Sequence, residues 1–467
     1  MSVDAHRLNA LLTAVDPDVA LAEVSHWTPC PARTAVEALA YVRSQAWAQA
    51  EPRLQALQRQ APWDSTQLVS SKLATCWHAQ GERVRALVLL LEIVSRHRGS
   101  PQFCPSLWRL ASLCVELSMP RHWFDCLERL QLTRTAFTGE ERASFDYVCG
   151  IVHLFAGDHA AGWARTEARY AAGLAVKPAW PWPELSPQQL GQGRDVLLYA
   201  DGGFGDLLFG LRFVPALRQQ VQSLSLVCDP ALVGLMRALD LFDAVDAKPP
   251  QGRPLDAWTH LISLPHLLGV TGPAPQWCRP FRLLGEPAWR EQLPQAPRTT
   301  PLLALNWQGS PSGDSIESFA LRGRSFAFAE FERITALQHC DLISVQVGPA
   351  AEQIWSSSLA DRFIAAQRRL DAPPHTFHKT ASLLLGVDLL ITNDTSVAHL
   401  GGLLGVPTWV LLNDHAYWQW GQQGSTAPWY PSVRCFRQQR AGDWAAVMAE
   451  VDAALQSRWR LLRGRGS

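Results

Sequence analysis

Two glycine-rich turns carry most of the residues that could do chemistry. The first is Ala200-Asp-Gly202-Gly203-Phe-Gly205-Asp206, which follows an apolar run and opens another. The second is Asp394-Thr395-Ser396-Val-Ala-His399, placed in the same way. A glycine turn between strand and helix lets backbone N–H groups meet an anion at the positive end of the helix dipole. Asp206, at the mouth of its helix, has two readings: an N-cap, or a general base facing a cleft. Thr395 and Ser396 could bind a diphosphate, with His399 one turn further on; capping and a buried, hydrogen-bonded histidine are the plainer readings. Between the turns, Asn306-Trp-Gln308-Gly309-Ser310-Pro311 leads to Arg322-Gly-Arg324-Ser325. Arg324 or Arg322 would suit bidentate contact with phosphate. No metal site is expected. His375 and His378 lack a third ligand, and Asp16-Pro-Asp18 reads as a turn and cap within a helical region. The aromatic stretch Tyr417-Trp-Gln-Trp420 to Pro428-Trp-Tyr-Pro431 could stack on a sugar or base, but most of its rings read as packing between two lobes.

The elements that must position these residues fall into two halves. Residues 1–176 read as helices only, with apolar residues three and four apart over Ala35–Leu57, Gln67–Ser95, Leu107–Leu117, His122–Thr133 and Glu141–Phe155. Gly81, Ser118-Met-Pro120, Thr138-Gly139 and Gly157-Asp158 punctuate them, which suggests a tetratricopeptide-like array of helical hairpins. Residues 177–195 form a linker with Pro178, Pro181, Pro183 and Pro187, whose Trp180 and Trp182 imply that it packs onto a surface. Strands then alternate with helices, the pattern of a parallel, doubly wound sheet. The expected strands are Val196–Ala200, Ser223–Cys228 and Trp258–Leu264, with helices at Leu207–Gln219 and Ala231–Leu239. A second series, Leu302–Trp307, Leu342–Val345, Leu389–Thr392 and Thr408–Leu412, follows the break Pro294 to Pro301. The two series give α/β domains at 196–298 and 299–442. A helix from Asp443 to about Leu462, with a solvated basic tail (Arg458, Arg460, Arg463, Arg465), occupies 443–467.

Composition narrows the function classes. The 467 residues suggest two or three domains, and 47% apolar with 18% charged residues fits sizeable cores. Lys plus Arg equals Asp plus Glu at 42 each, so no global field draws the chain to nucleic acid. The ten cysteines form no C-x-x-C pair, and no basic and apolar leader is visible; a cytoplasmic protein with reduced thiols is expected. Apolar runs such as Ala86–Val94 and Ser382–Ile391 are too short to span a bilayer and are broken by Glu92 and Asp388, leaving at most peripheral membrane contact.

The glycine turns, with Pro215 after the first and Gly405-Val-Pro407 after the second, resemble the paired signatures of the lipopolysaccharide heptosyltransferase family (glycosyltransferase family 9). A closer likeness is to bacterial proteins in which tetratricopeptide-like helices precede such a module. Phe155-Ala-Gly-Asp-His-Ala-Ala-Gly-Trp163, Ser263-Leu-Pro-His-Leu-Leu-Gly269, Asn306 to Pro311, Arg324-Ser325 and Pro428 to Ser432 fit that group in order over about 155–445. The resemblance implies a GT-B fold of two facing Rossmann-like domains, with the last helix crossing back to the first domain. It implies Asp206 as the catalytic base, and Gly203, Gly205, Gln308, Arg324, Asp394, Thr395, Ser396 and His399 around the donor. Ser396 stands where heptosyltransferases carry glycine. The implied activity is metal-independent, inverting transfer from a nucleotide-diphosphate sugar to a protein or glycan hydroxyl, with no cofactor. The helical array, whose concave surface suits extended peptides, would present the acceptor. A non-catalytic binding scaffold with a degenerate module is the alternative. A nicotinamide oxidoreductase is disfavoured, because the first turn lacks a full Gly-x-Gly-x-x-Gly.

Overall fold

Residues 5–13, 16–60, 67–96, 103–116, 139–249, 255–284, 290–294, 298–309, 323–370 and 376–463 are described in a computed structural model of the chain. Ser118 to Thr138, with the expected helix His122–Thr133, lie outside them, as do Ser310, Pro311, Arg322, His375 and Arg465. The chain divides into two units, Met1–Val152 with Arg165–Val176, and His153–Ala164 with Lys177–Ser467. The second therefore takes in a segment expected in the helical region.

The first unit is helical: α1 (Ala5–Thr13), α2 (Pro17–Val24), α3 (Pro31–Arg43), α4 (Trp47–Gln58), α5 (Leu68–Ala79), α6 (Arg83–Arg96), α7 (Phe103–Glu116) and α8 (Gly139–Phe155, its last three residues counting with the second unit). From α2 to α7 each helix packs on the next in chain order. Asp16 caps α2 by accepting from the Asp18 and Val19 N–H groups. The periodic segment Ala35–Leu57, in which no break was expected, is divided between α3 and α4. Gln45 adopts φ 57° and the Ala46 N–H reaches back to the Tyr41 carbonyl at 2.8 Å. The same closure ends α5, where Gly81 has φ 84° and the Glu82 N–H meets the Trp77 carbonyl at 2.8 Å. This left-handed stop favours glycine, so a glutamine in that role gave no sequence signal.

The second unit holds most of α9 (His159–Thr166, its last two residues counting with the first unit) and contains two lobes, each built on a parallel sheet. In the first lobe the order is β3-β2-β1-β4, with β1 Asp195–Ala200, β2 Ser223–Cys228, β3 Ala244–Asp246 and β4 Ala257–His260. The linker covers this sheet. Trp180 and Trp182 pack on Leu197, Tyr199 and Trp258. The linker backbone also pairs with edge strand β4, through Leu185 N–H to the Trp258 carbonyl (2.7 Å) and Trp258 N–H to the Pro183 carbonyl (2.9 Å). The strand expected to Leu264 stops at His260, whose Nδ1 accepts the Ile262 N–H at 3.1 Å and starts a helical turn. The helix expected over Leu207–Gln219 is α10 (Phe204–Gly210), a 3-10 turn at Leu211–Phe213 and α11 (Val214–Arg218). Pro215 has no N–H to continue one ladder. Helix α12 (Pro230–Ala238) follows β2, and the short α13 (Leu264–Leu267) follows β4.

The second lobe has the order β6-β5-β7-β8-β10-β9, with β5 Leu302–Asn306, β6 Asp341–Ser344, β7 Leu389–Asn393, β8 Thr408–Leu412, β9 Thr426–Ala427 and β10 Tyr430–Arg437. Only β9 runs antiparallel. Strands β5, β7 and β8 are buried throughout, as apolar runs covered on both faces should be. The short β3 and the β9–β10 pair were not expected. Helices α14 (Gln367–Leu370), α15 (Phe377–Leu384), α16 (Ser396–Leu403) and α17 (Trp444–Arg463) complete the lobe. Trp444, Val447, Met448, Val451 and Leu455 of α17 join the core of β5, β7 and β8, and Asp452 accepts from the Ala336 N–H at 2.8 Å. The last helix is thus anchored in the second lobe, whereas the resemblance implied a crossing back to the first; its apolar stripe matches the second sheet's face.

Candidate functional site

Strand β1 delivers the chain into Gly202, whose φ of 121° is strained for any L side chain. Gly203 then occupies the N-cap position of α10, so Asp206 is the third helical residue and not the cap. Its side chain reaches the second lobe instead, where Oδ1 accepts from Gln419 Nε2 at 3.1 Å. Gln419 is buried in the turn Trp418–Trp420 after β8. Burial raises the Asp206 carboxyl from 3.8 to about 6. The Gln419 bond opposes that rise, the Asp394 charge adds to it, and Arg324 lowers it. The side chain itself is half-buried and keeps some access to solvent.

Strand β7 delivers the second turn. Thr395 is the N-cap of α16, yet its hydroxyl makes no capping bond. It accepts instead from Asn306 Nδ2 at 3.2 Å; the same amide donates to Asn393 Oδ1 at 2.9 Å. The hydroxyl is thereby diverted from the first N–H groups of α16, and half-buried Ser396 opens the helix. Asp394 is 4% exposed. Burial raises its carboxyl, against Arg324, the Trp420 indole and the Tyr417 backbone N–H.

Arg324 ties the two strand ends together. Its Nη1 donates to the Asp394 carbonyl at 3.0 Å, and its own carbonyl accepts from Asn393 Nδ2 at 3.1 Å. A Cβ on Gly309 would stand 2.7 Å from Arg324 Nη2, so glycine there lets the guanidinium lie against the backbone. Gln308 supports this loop: its Nε2 donates to the Phe326 carbonyl at 3.3 Å, and its N–H to Gln346 Oε1 at 2.9 Å. Beside the Asp394 carboxylate and the Trp420 indole, buried Arg324 Nε has no hydrogen-bond partner among the described residues. Such atoms are costly unless something polar joins them.

His399 is 3% exposed and stacks on Trp420 at 4.6 Å. Its Nδ1 lies 2.7 Å from the Tyr430 hydroxyl. Burial, then Arg212 and Arg324, hold the imidazole down at about 3, so it is neutral at physiological pH. A Cβ on Gly205 would sit 3.2 Å from its Cδ2 and 3.5 Å from its Nε2, which explains a glycine where α10 meets α16. The first-lobe Phe209 and Phe213 interleave with Trp277, Trp418 and Trp429, and with His159 and Trp163 of α9. That cluster draws His153–Ala164 into this unit and accounts for the Trp-rich stretch as packing.

The structure brings Asp206, Arg324, Asp394, Thr395, Ser396 and His399 to the facing ends of the lobes; Gly205 allows the close approach to His399, and Gly203 is the N-cap of α10. Sequence reasoning missed Gln419, Arg212 and Tyr430. Arg212 was the most legible of them, being the one charge in the apolar run Leu207–Val214. Gln419 and Tyr430 were taken with their aromatic neighbours. His378 packs beside Gly234 of α12, and no group of three or more His, Cys, Asp or Glu among the described residues could hold a metal ion. Cys30, Cys76, Cys114, Cys149, Cys228, Cys278, Cys340 and Cys435 are free thiols. No described helix is long and apolar enough to cross a membrane.

No protein-family model matches the chain. A curated relative, Protein FlbA of Caulobacter vibrioides, is 24% identical over 349 residues, which cover 69% of this chain and 56% of the relative. The match thus spans little more than half the relative's length. Among solved structures, a family 9 glycosyltransferase from Veillonella parvula is similar at 14% identity and TM-score 0.37, covering 54% of this chain and 88% of that one. The ADP-heptose lipopolysaccharide heptosyltransferase II of E. coli shows 12% identity and TM-score 0.37, over 56% and 99%. An O-GlcNAc transferase variant from Thermobaculum terrenum covers 98% of this chain and 93% of its own, at 13% identity and TM-score 0.30.

Proposed function

We propose that this chain is an inverting glycosyltransferase that moves a sugar from a nucleotide-diphosphate donor to a hydroxyl of a protein or glycan, without a metal. The observation that carries the reading is Asp206. A carboxylate between two lobes, hydrogen-bonded from the opposite lobe and raised to about 6, is ionised at neutral pH yet basic enough to take a proton. Across from it, the uncapped start of α16 and the Arg324 guanidinium offer positive charge to a diphosphate. The acceptor oxygen attacks the anomeric carbon as the bond to the diphosphate breaks on the opposite face. Asp206 takes the acceptor proton, while the α16 N–H groups and Arg324 stabilise the charge growing on the leaving group. Docking of the acceptor on the helical unit belongs to the same proposal.

Thermal melting of the full chain with nucleoside diphosphates, their sugar conjugates and NAD tests the donor site. A ligand that binds only the folded state raises the midpoint with the logarithm of its concentration. The first two classes are expected to do so, and NAD to have no effect. If no nucleotide moves the midpoint even at millimolar concentration, the reading fails.

A further inference from the structure

Arg212 is 3% exposed and has no carboxylate among its hydrogen-bond partners. Its Nε donates to the Phe209 carbonyl at 2.8 Å, and its Nη1 to the carbonyls of Trp429 (2.8 Å) and Trp277 (3.2 Å). The guanidinium carbon lies 4.2 Å from the Tyr430 ring centre, and the charge acts on that residue's hydroxyl oxygen. Burial first of all pushes the Tyr430 phenol up to about 12, so it keeps its hydrogen at neutral pH. Arginine has donors only. The phenolic hydrogen of this 1% exposed ring therefore has one acceptor among the described residues, His399 Nδ1 at 2.7 Å. The reverse arrangement, Nδ1–H donating to the phenol, would leave the phenolic hydrogen buried and unpaired next to a cation.

We infer that Arg212 and Tyr430 are positioning residues that fix His399 as the Nε2–H tautomer, so that its Nε2 edge, which lies against Gly205, presents a hydrogen-bond donor to the anion bound between the lobes. The donor is neutral and held by stacking on Trp420, so it adds directionality at a point where Arg324 adds charge. This rests on the reading of the cleft as a diphosphate site, and it assigns a role to two residues outside both glycine turns.

The test uses the full chain with nitrogen-15-labelled histidine, the His399 signals being identified by loss in His399→Gln. At pH 7 the expected spectrum shows Nδ1 as an unprotonated acceptor and Nε2 as a protonated donor. A protonated Nδ1 overturns the inference. Inorganic pyrophosphate should then shift the Nε2 signal, and Tyr430→Phe should weaken its binding about tenfold; unchanged affinity in that variant overturns the donor role. If Tyr430→Phe does not fold, His399→Gln and His399→Asn make the same comparison. The glutamine amide reaches the Nε2 position and should bind within about threefold of wild type, while asparagine should lose about tenfold. Equal affinities would refute the assignment. Failure of the wild type to bind pyrophosphate contradicts the cleft reading itself, whereas the nitrogen shifts of the free protein still decide the tautomer.

Discussion

Replacing Asp206 by asparagine should move activity and stability in opposite directions. The raised carboxyl means that ionising Asp206 costs more in the folded chain than in the unfolded one. The displacement from 3.8 to about 6 corresponds to ~3 kcal/mol as an upper bound. The Gln419 bond and the Asp394 and Arg324 charges are already contained in that displacement; solvent access to the half-buried side chain reduces it further. A net stabilisation of about 1 kcal/mol at pH 7.5 remains. The sign follows from the direction of the shift. Below about pH 4 both states hold the proton and wild type and variant are equal; the variant's advantage grows as pH rises towards about 6 and is constant above it. Sugar transfer should fall by about 10²–10⁴-fold in the variant, the range for loss of a general base. In wild type, kcat/KM should drop tenfold per pH unit below about 6. Urea unfolding between pH 4 and 8 and initial rates across the same range supply both readings. A destabilised Asp206→Asn protein would make the carboxylate a structural element; a stable variant with undiminished transfer would remove it from the chemistry.

Arg324→Ala should weaken nucleoside diphosphate binding by about 10–100-fold, the worth of one charge-assisted contact, by isothermal calorimetry, with the fold retained. Gly205→Ala should destabilise by about 1–3 kcal/mol in denaturant titrations, because its methyl would press within 3.2 Å of buried His399. Gly402→Ala should cost more, since its Cβ would stand 2.3 Å from a ring carbon of fully buried Tyr430. Added EDTA should leave turnover unchanged; loss of transfer restored by a divalent ion would contradict charge neutralisation by Arg324 and α16.

Much of the second unit was legible because buried parallel strands advertise themselves as short apolar runs. Ser223–Cys228 and Thr408–Leu412 were read to the residue. What escaped were elements defined by partners distant in sequence. Strand β10 carries Pro431 and Arg434 and alternates with polar residues, so nothing local distinguishes it from a loop until β8 lies beside it. The turn at Gln45 escaped because a left-handed closure usually announces itself by glycine. The site divided in the same way. Residues supplied by the glycine turns were found by spacing. Gln419 meets Asp206 from 213 positions away, and Arg212 meets the Trp429 carbonyl across 217. No periodicity encodes such distances. Gln308, expected beside the donor from the resemblance, donates to the Phe326 carbonyl of the loop that carries Arg324, a contact no sequence pattern signals.

A crystal structure of the full chain with a bound nucleoside diphosphate tests the central claim most directly. Its terminal phosphate should lie at the first turn of α16, within hydrogen-bond reach of Ser396 and Arg324, with the Asp206 carboxylate on the open side facing the acceptor's approach. A diphosphate bound elsewhere, or one from which Asp206 is walled off by the Trp418–Trp420 turn, would contradict it.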